Sequence, residues 1–65
     1  MSDIWICWAR GQIVNAVTET EIVNIRSNVR SHTQRWNVLI DLPDLFAFWV
    51  RGQDDPGLVI YYQKP

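Results

Sequence analysis

Thr18-Glu19-Thr20-Glu21-Ile22-Val23-Asn24-Ile25-Arg26-Ser27-Asn28-Val29-Arg30-Ser31-His32-Thr33-Gln34 is the stretch on which the fold turns. Its apolar residues recur at helical spacing, whereas the sequence on either side of it reads as strand. Ile22, Ile25, Val29 and the more distant Trp36 fall on one narrow face, which His32 interrupts. Thr18 and Glu21 have the spacing of a capping box, with Thr20 as a competing N-cap. Glu19 and Glu21 stand where a helix N-terminus favours negative charge, and Arg26, Arg30 and Arg35 follow toward the end that favours cations. The pattern predicts a helix from about Thr20 to Gln34.

Upstream, Asp3 to Ala9 (DIWICWA) is apolar at nearly every position and rich in aromatic and β-branched residues, as suits a strand covered on both faces. Arg10-Gly11 punctuates it as a tight turn into a second strand, Gln12 to about Thr18. Downstream, Trp36 to Leu42 alternates, with Trp36, Val38, Ile40 and Leu42 expected on one face and Asn37, Leu39 and Asp41 on the other. Pro43-Asp44 is a turn signal, Leu45 to Arg51 is a strand, and a Gly52–Gly57 loop with a Pro-Gly pair suited to a type II turn leads to a last strand, Leu58 to Gln63. The expected fold class is α+β: a small single-layer antiparallel sheet, β-β-α-β-β-β along the chain, with one helix packed on one face. One domain is expected over residues 1–65.

The chain has 65 residues, 48% of them hydrophobic, with four Trp, two Tyr and two Phe. A chain this short buries only about 60% of the surface that it exposes when unfolded, which argues against an enclosed cavity for a large cofactor. Six Lys+Arg against seven Asp+Glu give a formal net charge of −1, without the basic excess of a general polyanion binder. The single cysteine excludes an internal disulfide and points to a reducing compartment. Met1-Ser2-Asp3 lacks the basic start of a secretory signal, and Leu45 to Val50, an apolar run that no other in the chain exceeds, falls far short of the roughly 20 residues that cross a bilayer. A soluble, cytoplasmic protein without membrane partners is expected.

The chain also contains an internal repeat. Asp3 to Gln12 (DIWICWARGQ) lies over Asp44 to Gln53 (DLFAFWVRGQ), with Asp, Trp, Arg, Gly and Gln matching and the other positions exchanging one apolar residue for another. In a strand, residues i and i+2 share a face, so Trp8 with Arg10, and Trp49 with Arg51, are expected to project to the same side. An indole beside a guanidinium can sandwich a base or hold a phosphate. The candidate site is therefore Trp8, Arg10 and Gln12 with Trp49, Arg51 and Gln53, supplemented by Arg26 and Arg30, which stand side by side on the helix. The plainer reading has each Arg covering its neighbouring Trp at a strand end, with Arg26 and Arg30 placed for the helix dipole.

Catalysis has little support. Cys7 and His32 are each the only residue of their type, and neither has a plausible third member close in sequence. Asp54 and Asp55 are expected in an exposed turn, which gives a general acid/base pair little support. No Cys-x-x-Cys, His-x-x-x-His or Gly-rich phosphate loop is present, and neither a metal nor a cofactor is expected.

Association has more support. Leu45 to Val50 sets Phe46, Phe48 and Val50 against Leu45, Ala47 and Trp49, and Ile4 to Ala9 sets Trp5, Cys7 and Ala9 against Ile4, Ile6 and Trp8. One helix covers one side of such a sheet, and soluble monomers rarely leave a large contiguous apolar surface bare. The leading expectation is a small intracellular non-enzymatic binding protein, a regulatory, interaction or inhibitor subunit. It would work as a homo-oligomer through an apolar sheet face and bind another protein. The alternative is a nucleotide, small-ligand or single-stranded nucleic-acid binder using the Trp-x-Arg-Gly-Gln hairpins.

Overall fold

The computed structural model describes residues 3–33, 36–50 and 57–65. Its helix α1 spans Glu19–Ser31. Thr18 is the N-cap: its backbone is extended, its hydroxyl accepts from Glu21 N at 3.2 Å, and Thr18 N donates to the Glu21 carboxylate at 3.3 Å. Both halves of the expected capping box are made, and Thr20 lies inside the first turn. The helix stops three residues short of the expected Gln34. His32 leaves helical geometry, its backbone N–H closes on Val29 O at 3.2 Å, and its ring Nδ1 lies 2.9 Å from Asn28 O. Local bonds thus satisfy carbonyls that the helix end would otherwise leave open.

Five strands surround the helix in sequence: β1 (Ile4–Ala9), β2 (Gln12–Thr18), β3 (Trp36–Leu42), β4 (Leu45–Val50) and β5 (Leu58–Gln63). All pair antiparallel in the order β2-β1-β5-β4-β3. The chain is α+β, β-β-α-β-β-β, as its sequence pattern predicts. Arg10 and Gly11 both have positive φ, 54° and 75°, the signature of a type I′ hairpin turn whose twist suits the strands that it joins. Pro43-Asp44 forms the turn between β3 and β4. The Gly52–Gly57 loop lies outside the described residues except for Gly57. That residue has φ 122°, and the Trp49 indole occupies the space that a Cβ there would need.

The helix joins the two edges of the sheet, from β2 to β3. Thirteen residues at a rise of 1.5 Å cover about 20 Å, close to the width of four inter-strand spacings of about 4.8 Å, so one helix crosses the whole sheet. It buries Ile22 and Val29 against Trp5, Cys7, Val17, Phe46, Phe48 and Tyr62, with Ile25, Trp36, Val38, Val50 and Ile60 around them. Ring contacts run from Trp36 to Phe48 (5.6 Å between centroids) and on to Tyr62 (6.3 Å). Burial and the neighbouring Cys7 push the Tyr62 phenol pKa up, so it stays neutral in this core.

Both edge strands carry one extra residue. Register passes from Cys7↔Asn15 to Trp8↔Ile13, leaving Val14 unmatched, and from Val38↔Phe48 to Ile40↔Ala47, leaving Leu39 unmatched. The second bulge corrects the alternation expected for β3. Trp36 and Val38 face the helix, but beyond Leu39 the faces exchange. Asp41, opposite Phe46, turns toward the helix, and Ile40 and Leu42, opposite Ala47 and Leu45, turn away from it.

Trp5, fully buried, donates its indole N–H to the Glu19 carboxylate at 2.6 Å. That bond, then Lys64 and Arg26, hold the Glu19 carboxyl below its ordinary value of 4.5 despite some desolvation. A depressed carboxyl pKa contributes stability that is present above about pH 4.5 and is lost as pH falls through the lower folded value. Wild type is therefore expected to exceed Glu19→Gln in urea midpoint at neutral pH, with the gap closing on acidification below 4.5. A gap independent of pH would show that the carboxylate charge plays no part.

Candidate functional site

Pleating and register assign the sheet positions opposite the helix. Reading across β2, β1, β5, β4 and β3, one row on this open face is Ile13, Trp8, Tyr61, Ala47, Ile40. The next is Ala16, Ile6, Gln63, Leu45, Leu42. Beyond the first row lie Val59, Trp49 and Asn37, and beyond the second lie Thr18 and Ile4. Among the described residues, no strand position on this face bears a charged side chain. Several of its apolar residues are left to solvent, among them Ile13 at 61%, Leu42 at 51% and Val59 at 44% exposure.

Relief on the face comes from side-chain size. Trp8 and Tyr61 stack nearly parallel, 6.1 Å between centroids and 6° between planes. Among the described residues, the Trp8 indole N–H is enclosed there without an acceptor, unlike that of Trp5. Beside the stack, Ala47 floors a depression of about 370 Å³ lined also by Leu39, Ile40, Leu45, Val59, Tyr61 and Gln63. The smallest side chain of the row thus lies next to Tyr61, with Trp8 on that ring's far side.

On the helix side, charges converge on one carboxylate. Asp41, brought over by the bulge at Leu39, takes both helix arginines. Arg30 donates to its Oδ2 from Nη2 and, at 3.0 Å, from Nε, and Arg26 Nε lies 3.4 Å from its Oδ1. Arg26 also donates to Leu42 O, and its guanidinium lies over the rings of Trp5 (4.8 Å) and Phe46 (5.4 Å). Arg26 is 15% exposed and serves as a cationic clamp between helix and sheet, whereas Arg30, at 58%, keeps an open side.

The chain matches no protein-family model, no curated protein and no solved structure. Its surface chemistry therefore carries the functional reading.

Of the residues singled out in the sequence, Trp8 and Trp49 both lie on the open face, on β1 and β4, with β5 between them. Arg10 sits in the turn at positive φ, just beyond the end of β1, so strand alternation does not fix the side to which it projects. Gln12 pairs with Ala9 and so projects to the side opposite Trp8. Arg51 and Gln53 lie outside the described residues. Arg26 and Arg30 are adjacent, as their spacing predicts, and they converge on Asp41, with Arg26 also lying over the ring of Trp5.

The repeat itself has a geometric counterpart. β1 and β4 run in the same direction two strands apart, and each pairs with its following strand, β2 or β5, on the same side. Trp5 with Phe46, Cys7 with Phe48 and Trp8 with Trp49 occupy matching faces. The residues that sequence reading missed are Tyr61, Val59 and Ile40. Alternation within Leu58–Gln63 carries the signal for the first two; Ile40 reaches this face only through the bulge. Among the described residues no helix is long and apolar enough to cross a membrane, and no group of three or more His, Cys, Asp or Glu is placed to hold a metal.

Proposed function

We propose that this chain is a small intracellular, non-enzymatic binding protein that works as a homo-oligomer through the open face of its sheet. One observation carries the reading: across all five strands that face is mostly apolar and, among the described residues, uncharged, while the helix covers the other side. Burying apolar surface drives association at about 25 cal/mol per Å², and a face without charges makes no ion pair that association would have to desolvate. In such an assembly the helices point outward. The neutral polar row Asn24, Ser27, Asn28 and Ser31 is exposed there, and this outer row is the surface for a second protein.

The nucleotide or single-strand reading draws less support. Its two supplementary arginines, Arg26 and Arg30, are already engaged by Asp41. Sedimentation velocity at low micromolar concentration, with a hydrophobic dye added, tests the proposal. A dimer or larger species that binds little dye is expected. A strict monomer that binds no dye would remove the reading.

A further inference from the structure

We infer that two copies stack face to face with the two-fold axis running along the central strand β5, so that Trp8 of each copy seats over Ala47 of the other. The inference rests on the self-association proposed above and specifies its geometry. β5 is the middle of five strands, so a two-fold along it lays β1 over β4 of the second copy and β2 over β3, leaving no strand of the face unmatched. The row Ile13, Trp8, Tyr61, Ala47, Ile40 then meets its own reverse. The largest side chain opposes the smallest, above the depression that Ala47 floors. Gln63, in the middle of the neighbouring row, opposes its own copy, and an amide can both donate to and accept from its twin.

A second copy is the occupant that the chemistry favours. An isologous contact sets a surface against itself, and a face with no charge among the described residues sets no like charges of theirs against each other across the axis. Size agrees: five strands at about 4.8 Å and six residues at about 3.3 Å give a face of about 24 by 20 Å, or about 480 Å² in projection per copy. With side-chain relief counted, two such faces reach the lower end of the roughly 1,200–2,000 Å² that specific interfaces bury. Edge-to-edge pairing is disfavoured by the bulges at Val14 and Leu39, which interrupt the ladders of both edge strands.

A side-chain swap tests the geometry. Trp8→Ala and Ala47→Trp are each expected to raise the dimer dissociation constant about tenfold or more, as the loss of a central aromatic anchor does. The double variant, which restores a large residue opposite a small one, is expected to return most of the affinity. Circular dichroism establishes that each variant folds. Because Ala47→Trp can fail that check, Gln63→Cys supplies a second measurement. A bismaleimide spanning about 10 Å, the distance between packed sheets, is expected to cross-link it as a dimer and to leave Thr20→Cys on the helix monomeric. A monomeric wild type would overturn both the self-association reading and this inference. A dimeric wild type with no rescue in a folded double variant, or with no Gln63→Cys cross-link, would overturn the inference alone.

Discussion

Val59→Glu is expected to dissociate the oligomer into folded monomers. Val59 lies on the central strand, on the open face, and is 44% exposed in the single chain, so a carboxylate there keeps its water when the chain is alone. In the stacked arrangement the same position lies on the two-fold and meets its own copy. Association would then have to strip water from two opposed carboxylates, at several kcal/mol each, and the dissociation constant should rise by about a thousandfold or more. Val59→Ala, which removes area but adds no charge, should weaken association far less. Sedimentation of both variants beside wild type, with circular dichroism as the check on folding, reads the difference. An oligomer unaffected by Val59→Glu would place the contact elsewhere.

Asp41→Ala is expected to be the most damaging single change on the opposite side of the sheet. Its carboxylate is the shared acceptor for Arg26 and Arg30, and Arg26 is enclosed over Trp5 and Phe46. Exposed ion pairs contribute up to about 1 kcal/mol, whereas stranding a buried charge costs about 3–5 kcal/mol. With Arg26 at 15% exposure and Asp41 at 28%, the loss should fall between, at about 2–3 kcal/mol. For a domain this small that corresponds to a drop in Tm of roughly 10–20 °C. Arg26→Met combined with Asp41→Ala should recover part of it, because methionine fills the space over the two rings without leaving a charge. Equal melting temperatures for wild type and Asp41→Ala would show that the carboxylate does not hold the clamp.

These two residues also mark where sequence reading stops. Elements set by local chemistry were legible: the capping box of Thr18 and Glu21, the Arg10-Gly11 and Pro43-Asp44 turns, and the apolar spacing of Ile22, Ile25 and Val29 all act within a few residues of themselves. The helix end was less so, because a histidine cap that bonds Asn28 O carries no strong signature. The bulge at Leu39 was not legible at all. In WNVLIDL the apolar run Val38-Leu39-Ile40 fits either register, and the extra residue is fixed by pairing with β4, so the face of Asp41, Ile40 and Leu42 follows from a non-local register. For the same reason Arg26 and Arg30 read as a basic patch, since nothing near them announces that Asp41 is brought across to neutralise them. The two-sided apolar character of β1 and β4 was visible, and it is this feature that leads to the open face.

Small-angle X-ray scattering tests the central claim most directly. One chain has a Cα radius of gyration of 11.6 Å. Two copies stacked through their open faces, with sheets about 10 Å apart and chain centres about 18 Å apart, give a particle of about 15 Å. Pairing edge to edge separates the centres by about 24 Å and gives about 17 Å. The account predicts a dimer mass with a radius of gyration near 15 Å. A monomer mass near 12 Å, or a dimer near 17 Å, would contradict it.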